Sequence, residues 1–402
     1  MGLGTRLAIL IALGVLLRCW LIASAEPPVV SDASDYVILA RSVADGEGYQ
    51  QRYGPGTPFG DLTLRAYRAP GYPLLRAAMM AVSDEAAGAG AALVLNLVCE
   101  VLAALILIAL ALRRRRRLLA IAFAALWALH VTWTVSPMTE SLAMALYAAL
   151  LYALAYAPRT WRVSAITGVV LAVAVLVRPA SLVLLPVALW VELASRAPSR
   201  LFRLSALLAT LALGVGSWSV RNYLVLGAPV LISTNLGIHN AHEFGLGIAA
   251  YEGLQVSGLG EVEINRRLVQ RELSIALADP LFMPRLILQR IHDLFVVSTQ
   301  SCYELALHQE STFEDPLARR AHWLSFVHAP AVYVLSLASL PSALRRGSDL
   351  RLAGLLTLAF VIGHSLISRG DARLLAPAYP WLAFLAAHAL TRLWDSRTPQ
   401  AC

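Results

Sequence analysis

The sequence places two aspartates and a tyrosine within five residues, Asp32, Asp35 and Tyr36, soon after an apolar stretch of membrane-spanning length. A carboxylate at the edge of a bilayer can act as a general base toward an acceptor hydroxyl. A further acid, Glu140, follows Pro137 at the start of a later apolar stretch. These residues predict chemistry on a substrate at the membrane surface, with Asp32 as the preferred base.

Arginines on the same side of the membrane would supply the opposite charge, since a guanidinium pairs with phosphate oxygens through two hydrogen bonds. Arg373 is the first candidate for a phosphate ligand, because the topology described below places it on the outer side, against the general distribution of arginine. Arg221 and Arg178 come next, and Arg68 is the weakest of the four. Snorkelling toward the interface is the alternative role for Arg178 and Arg221.

The acids have structural alternatives as well. Asp32 or Asp35 is a suitable N-cap for the helix predicted to begin near Tyr36. We assign that cap to Asp35 or Ser34, which leaves Asp32 as the base and Asp35 as a second candidate for the base or for a metal partner. Glu140 is a candidate to orient the acceptor or bind a metal, and its alternative role is favourable charge at a helix N-terminus.

The composition places these residues in a membrane protein. Hydrophobic residues make up 58% of the 402 residues, charged residues make up 14%, and mean hydropathy is +0.65. Water-soluble domains carry about 25% charged residues, so we predict an all-α polytopic protein with a single membrane domain over residues 1–402. About ten apolar stretches approach the roughly 20 residues needed to span a bilayer. They lie at about 5–25, 88–112, 118–135, 138–157, 162–178, 180–195, 203–223, 321–343, 350–369 and 373–393.

The arginines indicate the sidedness of these stretches. All 33 basic residues are arginine, and the run from Arg113 to Arg117 cannot lie in hydrocarbon, where each arginine costs roughly 2.5–3.5 kcal/mol. The positive-inside rule makes this side cytoplasmic, and alternate loops bring further arginines to it. These are Arg6, Arg159, Arg162, Arg196, Arg200, Arg203, Arg345, Arg346, Arg351, Arg392 and Arg397. The net charge of +8 therefore reflects topology and gives no reason to expect a nucleic-acid partner.

Two polar segments lie on the outer side, the first extracytoplasmic loop at 26–87 and a second large segment at 224–320. In the first, apolar residues spaced i, i+3, i+4 and i+7 from Tyr36 predict a short amphipathic helix along the membrane surface, ending near Gly46. In the second, an apolar stripe runs from Leu286 to Phe295, and the polar residues of the same stretch predict an interfacial helix and not a span. They are Arg285, Gln289, Arg290, His292 and Asp293.

Taken in order, several motifs resemble those of the GT-C membrane glycosyltransferases, especially bacterial enzymes similar to protein O-mannosyltransferases and aminoarabinose transferases (family 39/83-type). The resemblance covers nearly the whole chain, and each motif is weak alone. The motifs are Asp32-Ala33-Ser34-Asp35-Tyr36, Arg68-Ala69-Pro70-Gly71-Tyr72-Pro73, Pro137-Met138-Thr139-Glu140, Val177-Arg178-Pro179, Trp218-Ser219-Val220-Arg221-Asn222-Tyr223, Ser233-Thr234-Asn235-Leu236-Gly237 and Arg369-Gly370-Asp371-Ala372-Arg373-Leu374-Leu375-Ala376-Pro377. Many relatives have a second acid directly after the first, whereas Ala33 follows Asp32 here, which leaves the identity of the base and the need for a metal open.

The resemblance implies an inverting glycosyltransferase in a bacterial inner membrane, with its active site facing the periplasm. Its partners would be the lipid bilayer, a polyprenyl-phosphate sugar donor, and an envelope glycan, glycolipid or protein acceptor. Tyr36, Tyr72, Asn235 and His239 are the residues expected near the acceptor. No cofactor is certain, and a divalent metal is one option.

Two other classes of function compete with this one. A sugar or lipid transporter, including a flippase, would need ionisable residues along a path through the membrane, and Glu100 is nearly alone within the spans. A non-catalytic scaffold on the same fold is the other alternative. His239 and His242 invite a zinc interpretation, but their spacing is not the His-Glu-x-x-His pattern of a helical zinc site.

Overall fold

The computed structural model describes residues 1–25, 32–52, 62–82, 85–131, 133–194, 199–235, 259–295, 313–345, 348–367 and 372–397. These residues are mostly helical. The helices of the first half are α1 (Leu3–Ala23), α2 (Asp32–Ala44), α3 (Gly71–Met80), α4 (Glu85–Arg113), α5 (Arg117–Leu129), α6 (Glu140–Tyr156) and α7 (Trp161–Val177). Those of the second half are α8 (Leu185–Leu193), α9 (Arg200–Leu226), α10 (Glu261–Ala278), α11 (Phe282–Phe295), α12 (Pro316–Arg345), α13 (Ser348–Ile367) and α14 (Tyr379–Arg397), with 3₁₀ helices at Pro179–Leu184 and Ala372–Ala378.

Six helices in the described part are long and apolar enough to cross a membrane, which makes the chain a multi-pass membrane protein. They are Leu3–Ala23, Gly90–Arg113, Arg200–Leu226, Pro316–Arg345, Asp349–Leu366 and Leu374–Trp394. Four shorter apolar helices, Arg117–Leu129, Glu140–Tyr156, Trp161–Val177 and Pro179–Leu193, occupy the other predicted stretches. The polytopic all-α class is confirmed, and the count of about ten spans stays a prediction.

Close backbone contact between α7 and α9 depends on a small residue. A Cβ atom at Gly168 would lie 2.3 Å from the Leu207 carbonyl oxygen, so a larger residue would force the two helices apart. Beside this contact the Thr210 hydroxyl donates a hydrogen bond of 2.9 Å to the Ala165 carbonyl oxygen. Small and hydroxyl residues are typical of helix interfaces in lipid, where helices gain little from hydrophobic burial.

The arginine-rich loops meet at one end of the helix bundle. Arg116, which follows α4, pairs with Asp349 at the start of α13 over 3.0 Å. Arg203, which lies close in sequence to another of these loops, pairs with the buried Glu192 over 2.9 Å. The first of these contacts joins two loops that the sequence places on the same side, as the predicted topology requires. That this side is cytoplasmic stays a prediction.

At the opposite end, which we call the site end, α2 and α3 pack against each other, and α3 packs against α4 and α7. Helix α2 begins at Asp32, so the predicted start near Tyr36, with Asp35 or Ser34 as cap, is wrong. Asp35 instead lies within the first turn and is buried by an arginine partner described below. The predicted stop is correct, since α2 ends at Ala44 and Gly46 adopts a φ of +82° that favours glycine.

A short hairpin connects α2 to the residues before α3. Strands β1 (Gln51–Arg52) and β2 (Thr63–Leu64) pair antiparallel, with Gln51 opposite Leu64. Farther along the chain, α11 forms where the apolar stripe predicts a helix, and it buries Leu286 and Leu294. Its arginine Arg290 donates to the Ser365 carbonyl oxygen over 3.2 Å, which ties α11 to the end of α13.

An ion pair buried among the spans joins α1 to α4. Arg18 donates through Nε to Glu100 Oε2 over 2.8 Å, and its Nη2 donates to the Trp127 carbonyl oxygen over 3.0 Å. Glu100 also accepts hydrogen bonds from the Thr134 and Ser141 hydroxyls, both over 2.8 Å. The pair therefore fixes the non-helical segment between α5 and α6.

Removal of one partner of this pair leaves an uncompensated buried charge, so we expect Glu100→Gln to destabilise the protein by about 3–5 kcal/mol. The double variant Arg18→Met/Glu100→Gln should recover a large part of that loss, because it removes both charges. Equilibrium unfolding in mixed micelles measures both effects, with Arg6→Met as an exposed control on the same helix. Equal losses in the single and double variants would contradict the importance of the pairing.

Candidate active site

The central feature of the site end is one arginine between two carboxylates. Arg68 Nη2 lies 2.6 Å from Asp32 Oδ1 and 2.6 Å from Asp35 Oδ2, and Arg68 Nε donates to Asp35 Oδ2 over 2.8 Å. Gln51 donates to the other oxygen of Asp35. Asp35 and Arg68 are buried, whereas Asp32 is half-buried. The guanidinium offsets the repulsion between two acids that one turn of α2 places side by side.

The backbone that carries Arg68 is held from several directions. The Tyr49 hydroxyl donates to the Arg68 carbonyl oxygen over 2.9 Å, and the Thr234 amide donates to the Ala66 carbonyl oxygen over 2.9 Å. Just beyond, α3 begins at Gly71, where a Cβ atom would come within 3.0 Å of the Leu176 backbone at the end of α7. Glycine therefore allows the close approach that brings Arg68 and α3 against the bundle.

A second ion pair lies where α6 begins and α7 ends. Arg178 Nη1 lies 3.1 Å from Glu140 Oε1 and donates to the Thr139 hydroxyl over 3.0 Å. Both members of the pair are buried. Pro179 follows Arg178 and disfavours helical backbone at that residue, so α7 stops there and turns the guanidinium toward the start of α6. Glu140, the first residue of α6, therefore places a negative charge at the N-terminus of that helix and also pairs with Arg178.

Tyr36 connects the two ion pairs electrostatically. Burial and, to a lesser degree, the Asp32 and Glu140 carboxylates raise the pKa of its hydroxyl to about 12, with Arg68 and Arg178 opposing them. The Tyr36 ring also stacks edge-on against Tyr72, with centroids 5.3 Å apart. All of these groups therefore belong to one electrostatic cluster, and Tyr36 stays protonated as a hydrogen-bond donor at neutral pH.

Arg221 braces the first loop from α9. Its Nη1 donates to the Arg65 carbonyl oxygen over 2.6 Å, and its Nη2 donates to the Tyr49 carbonyl oxygen over 3.0 Å. The guanidinium also lies over the Trp218 ring, 4.7 Å from the centroid. These contacts place Arg221 one layer behind Arg68, where it positions the backbone of the site.

Glu261, the first residue of α10, holds the same backbone from the other side. Its buried side chain accepts hydrogen bonds through Oε2 from the Arg65 amide over 2.9 Å and from the Ala66 amide over 3.3 Å. Burial raises the pKa of the Glu261 carboxyl, although these amides and Arg221 lower it in part. The second outer segment thus takes part in placing Arg68.

The structure brings together seven of the residues predicted from the sequence. They are Asp32, Asp35, Tyr36, Arg68, Tyr72, Glu140 and Arg178. Of the others, Arg221 lies behind them, and Asn235 accepts a hydrogen bond from the Ser233 hydroxyl over 2.9 Å. Arg373 lies in the 3₁₀ helix Ala372–Ala378 with its side chain outside the described part, and His239 lies outside the described residues altogether.

Sequence reasoning missed Gln51, Tyr49, Glu261 and Arg76. Only Arg76 could have been predicted from the sequence, because it is an arginine on the predicted outer side. The same reasoning selected Arg373. The other three act on backbone or carboxylate partners that are distant in sequence. Glu261, for example, meets a segment 195 residues before it.

The described residues do not form a metal site. Within the ranges given above, no three histidine, cysteine, aspartate or glutamate side chains lie close enough to hold an ion. The nearest arrangement, Asp32 and Asp35, already has the Arg68 guanidinium between its oxygens.

No family model and no curated protein sequence matches the chain. Several solved structures do resemble it. The archaeal oligosaccharyltransferase AglB from Archaeoglobus fulgidus, in complex with an inhibitory peptide and a dolichol-phosphate, superposes with a TM-score of 0.54 and 14% identity over 98% of this chain and 50% of its own. ArnT from Cupriavidus metallidurans, bound to undecaprenyl phosphate, gives 0.51 and 13% over 97% of this chain and 61% of its own. The apo form of the Archaeoglobus oligosaccharyltransferase gives 0.56 and 14%, over 98% and 51%.

The chain therefore shares its fold with AglB and ArnT, in line with the resemblance to the GT-C glycosyltransferases that the sequence motifs indicate. It spans about half to three-fifths of the length of the proteins it matches. Identities of 13–14% establish the fold alone, and the activity depends on the residues of the site.

The contact of Glu261 with the Arg65 and Ala66 amides yields a test of how the site is held. Glu261→Ala leaves two amides without their acceptor and should cost about 1–3 kcal/mol. Glu261→Gln should cost less, because the amide oxygen can accept the same hydrogen bonds. Thermal unfolding measures both, and equal losses would contradict the contact.

The same residue predicts a pH dependence. A raised pKa in the folded state means that folding takes up a proton, so wild-type stability should rise as pH falls through that pKa toward the ordinary value near 4.3. The difference in melting temperature between wild type and Glu261→Gln, measured from pH 7.5 to 4.5, isolates this contribution. A difference that is constant with pH would contradict it.

Proposed function

We propose that the protein transfers a sugar from a polyprenyl-phosphate-linked donor to an acceptor hydroxyl at the outer face of a bacterial inner membrane. The observation that carries this proposal is the cluster formed by the Asp32–Arg68–Asp35 triad and the Glu140–Arg178 pair, joined through Tyr36. It combines a carboxylate that can take a proton with guanidinium groups that suit a phosphate. The shared fold, together with the dolichol-phosphate bound to AglB and the undecaprenyl phosphate bound to ArnT, supports the same interpretation.

Asp32 is the better base of the two aspartates. Asp35 has both carboxylate oxygens engaged, one by Arg68 through two nitrogens and the other by Gln51. Asp32 also pairs with Arg68 and is the more exposed acid, with 14% of its side chain accessible against 10% for Asp35. We assign Asp35 to the orientation of Arg68 and Asp32 to the proton transfer.

In the proposed reaction the acceptor oxygen attacks the anomeric carbon while its proton passes to Asp32. The bond between that carbon and the phosphate oxygen breaks, and its electron pair leaves with the phosphate. A single displacement of this kind inverts the anomeric configuration. The leaving phosphate is already a weak base, so guanidinium donors contribute more than a general acid would.

Arg178 is the arginine of the proposed donor set with the most suitable geometry. Its Nη1 is used by Glu140 and Thr139, and in the part of the chain that the structure describes no hydrogen bond comes from its Nε or Nη2. That edge of the guanidinium is available for a phosphate. Arg373 completes the proposed set at the phosphate itself, whereas Arg68 acts through the two aspartates that it holds and Arg221 acts through the loop backbone.

The proposal assigns the remaining residues to the acceptor. Tyr36 and Tyr72 line the cluster as aromatic partners, and Asn235 and His239 belong to the loop after α9. The acceptor class is an envelope glycan, glycolipid or protein. Glu140 orients Arg178 and, through it, the donor phosphate.

Replacement of Asp32 by asparagine should reduce transfer at least about 100-fold, since a general base contributes roughly 10²–10⁴. Stability should stay near that of the wild type, because asparagine can still accept from Arg68. Mass spectrometry of cell-envelope glycans, with and without the gene and with each variant, measures the product. Asp45→Asn, an exposed acid just after α2, is the matched control.

Two results would count against this assignment. Wild-type transfer by a folded Asp32→Asn protein would remove Asp32 as the base. Movement of sugar-linked lipid in proteoliposomes without any new glycosidic product would instead indicate a flippase.

A further inference from the structure

Arg76 is a buried cation of the site end that the mechanism above does not use. It lies on α3, one turn after Tyr72, and only 4% of the residue is exposed. Within the described part of the chain its one hydrogen bond goes from Nη1 to the Pro137 carbonyl oxygen, over 3.4 Å. That distance exceeds the usual 2.7–3.2 Å range for an N–H···O bond, and Arg76 Nε is buried with no partner.

Four other buried arginines of the described residues are compensated differently, since each of them pairs with a carboxylate. The pairs are Arg18 with Glu100, Arg68 with Asp32 and Asp35, Arg178 with Glu140, and Arg203 with Glu192. Arg76 has no such carboxylate among the residues that the structure describes. A buried charge without a counter-ion is strongly unfavourable, and burial lowers the pKa of the Arg76 guanidinium accordingly. An anionic ligand would remove this penalty.

The surroundings of Arg76 place such a ligand inside the proposed active site. Its polar neighbour is the buried Tyr72 hydroxyl. The Tyr72 ring stacks on Tyr36, and Glu140 lies close enough to raise the pKa of Tyr72, which burial already raises. Pro137 belongs to the segment that leads into Glu140 and its partner Arg178. An anion bound by Arg76 would therefore lie beside the Glu140–Arg178 pair.

The charges of the cluster also lie beside different tyrosines, since Asp32 and Arg68 neighbour Tyr36, whereas Arg76 neighbours Tyr72, which stacks on Tyr36. Asp32 and Asp35 together outweigh Arg68 and leave a net negative charge at their end, and Glu140 and Arg178 cancel. Arg76 leaves a net positive charge at the other end. A donor with an anionic phosphate and a neutral sugar fits this polarity only with its phosphate toward Arg76 and its sugar toward Asp32.

We propose that Arg76, together with the Tyr72 hydroxyl, binds the phosphate of the lipid-linked donor and thereby sets the direction in which the donor lies. This assignment rests on the proposed glycosyl transfer. It adds a binding residue and an orientation that neither the sequence motifs nor the fold specifies.

The first test is binding by the purified full-length protein in nanodiscs. Undecaprenyl phosphate is the probe, and undecaprenol, which has the same tail without the charge, is the control. Wild type should bind the phosphate more tightly than the alcohol. Arg76→Gln should weaken phosphate binding about 10- to 100-fold, the range for hydrogen bonds to charged groups, and leave undecaprenol binding unchanged. Arg266→Gln, an exposed arginine on α10, should change neither.

A histidine at position 76 provides a readout that a purely structural arginine would not give. Imidazole loses its charge between about pH 5 and 8, so Arg76→His should bind undecaprenyl phosphate well at pH 5.5 and poorly at pH 8. Each affinity is divided by the wild-type value at the same pH, because the phosphate also titrates near pH 6. This comparison uses one folded protein at two pH values, and it stays decisive if Arg76→Gln does not fold.

The outcomes separate the two proposals. Wild-type protein that fails to distinguish undecaprenyl phosphate from undecaprenol would contradict the proposed function itself. Discrimination that persists unchanged in Arg76→Gln and in Arg76→His at both pH values would overturn only the role of Arg76. Inorganic phosphate should compete weakly, and competition at the same concentration as undecaprenyl phosphate would assign the site to free phosphate and overturn the lipid donor.

Discussion

The placement of Arg68 between Asp32 and Asp35 is the interaction on which the site end depends. Two carboxylates on one turn of α2 repel each other unless a cation lies between them, and Arg68 reaches both across 33 and 36 residues of sequence. Its backbone is fixed in turn by contacts from four parts of the chain, made by Tyr49, Thr234, Arg221 and Glu261. The first loop, α9 and α10 therefore converge to position one guanidinium.

A constraint of the membrane supports the other half of the site. The non-helical segment between α5 and α6 lies at the edge of the spans, where carbonyl groups need partners from protein. Arg18 and Asn96 supply them, since Arg18 donates to the Trp127 carbonyl oxygen and Asn96 to the Thr134 and Ser136 carbonyl oxygens. Glu100 compensates Arg18 and accepts from Ser141, the residue after Glu140. The buried ion pair thus supports the segment that carries Glu140.

The sequence predicted what depends on hydropathy and charge along the chain. The apolar stretches form helices. Asp32, Glu140 and Arg178 meet at one end of the bundle, as expected for residues that the arginine distribution predicts to lie on one side of the membrane. The predicted start of α2 was wrong, because aspartate is favourable both as an N-cap and in the first turn of a helix. Only the position of Arg68 decides between these two placements. Partners distant in sequence, such as Glu261 for Ala66, leave no local pattern, so they could not be predicted.

The arrangement of charge gives the site a direction that the fold alone does not provide. In the proposed reaction, the acids at the start of α2 take a proton from the acceptor, and the arginines of α3 and of the end of α7 bind the phosphate. An inverting displacement needs the attacking oxygen and the leaving oxygen on opposite faces of the anomeric carbon, and therefore needs base and phosphate ligands apart. Tyr36 and Tyr72 lie between these two ends as neutral aromatic surfaces. A sugar ring carries no charge and presents apolar C–H faces, so it suits the space beside these two tyrosines.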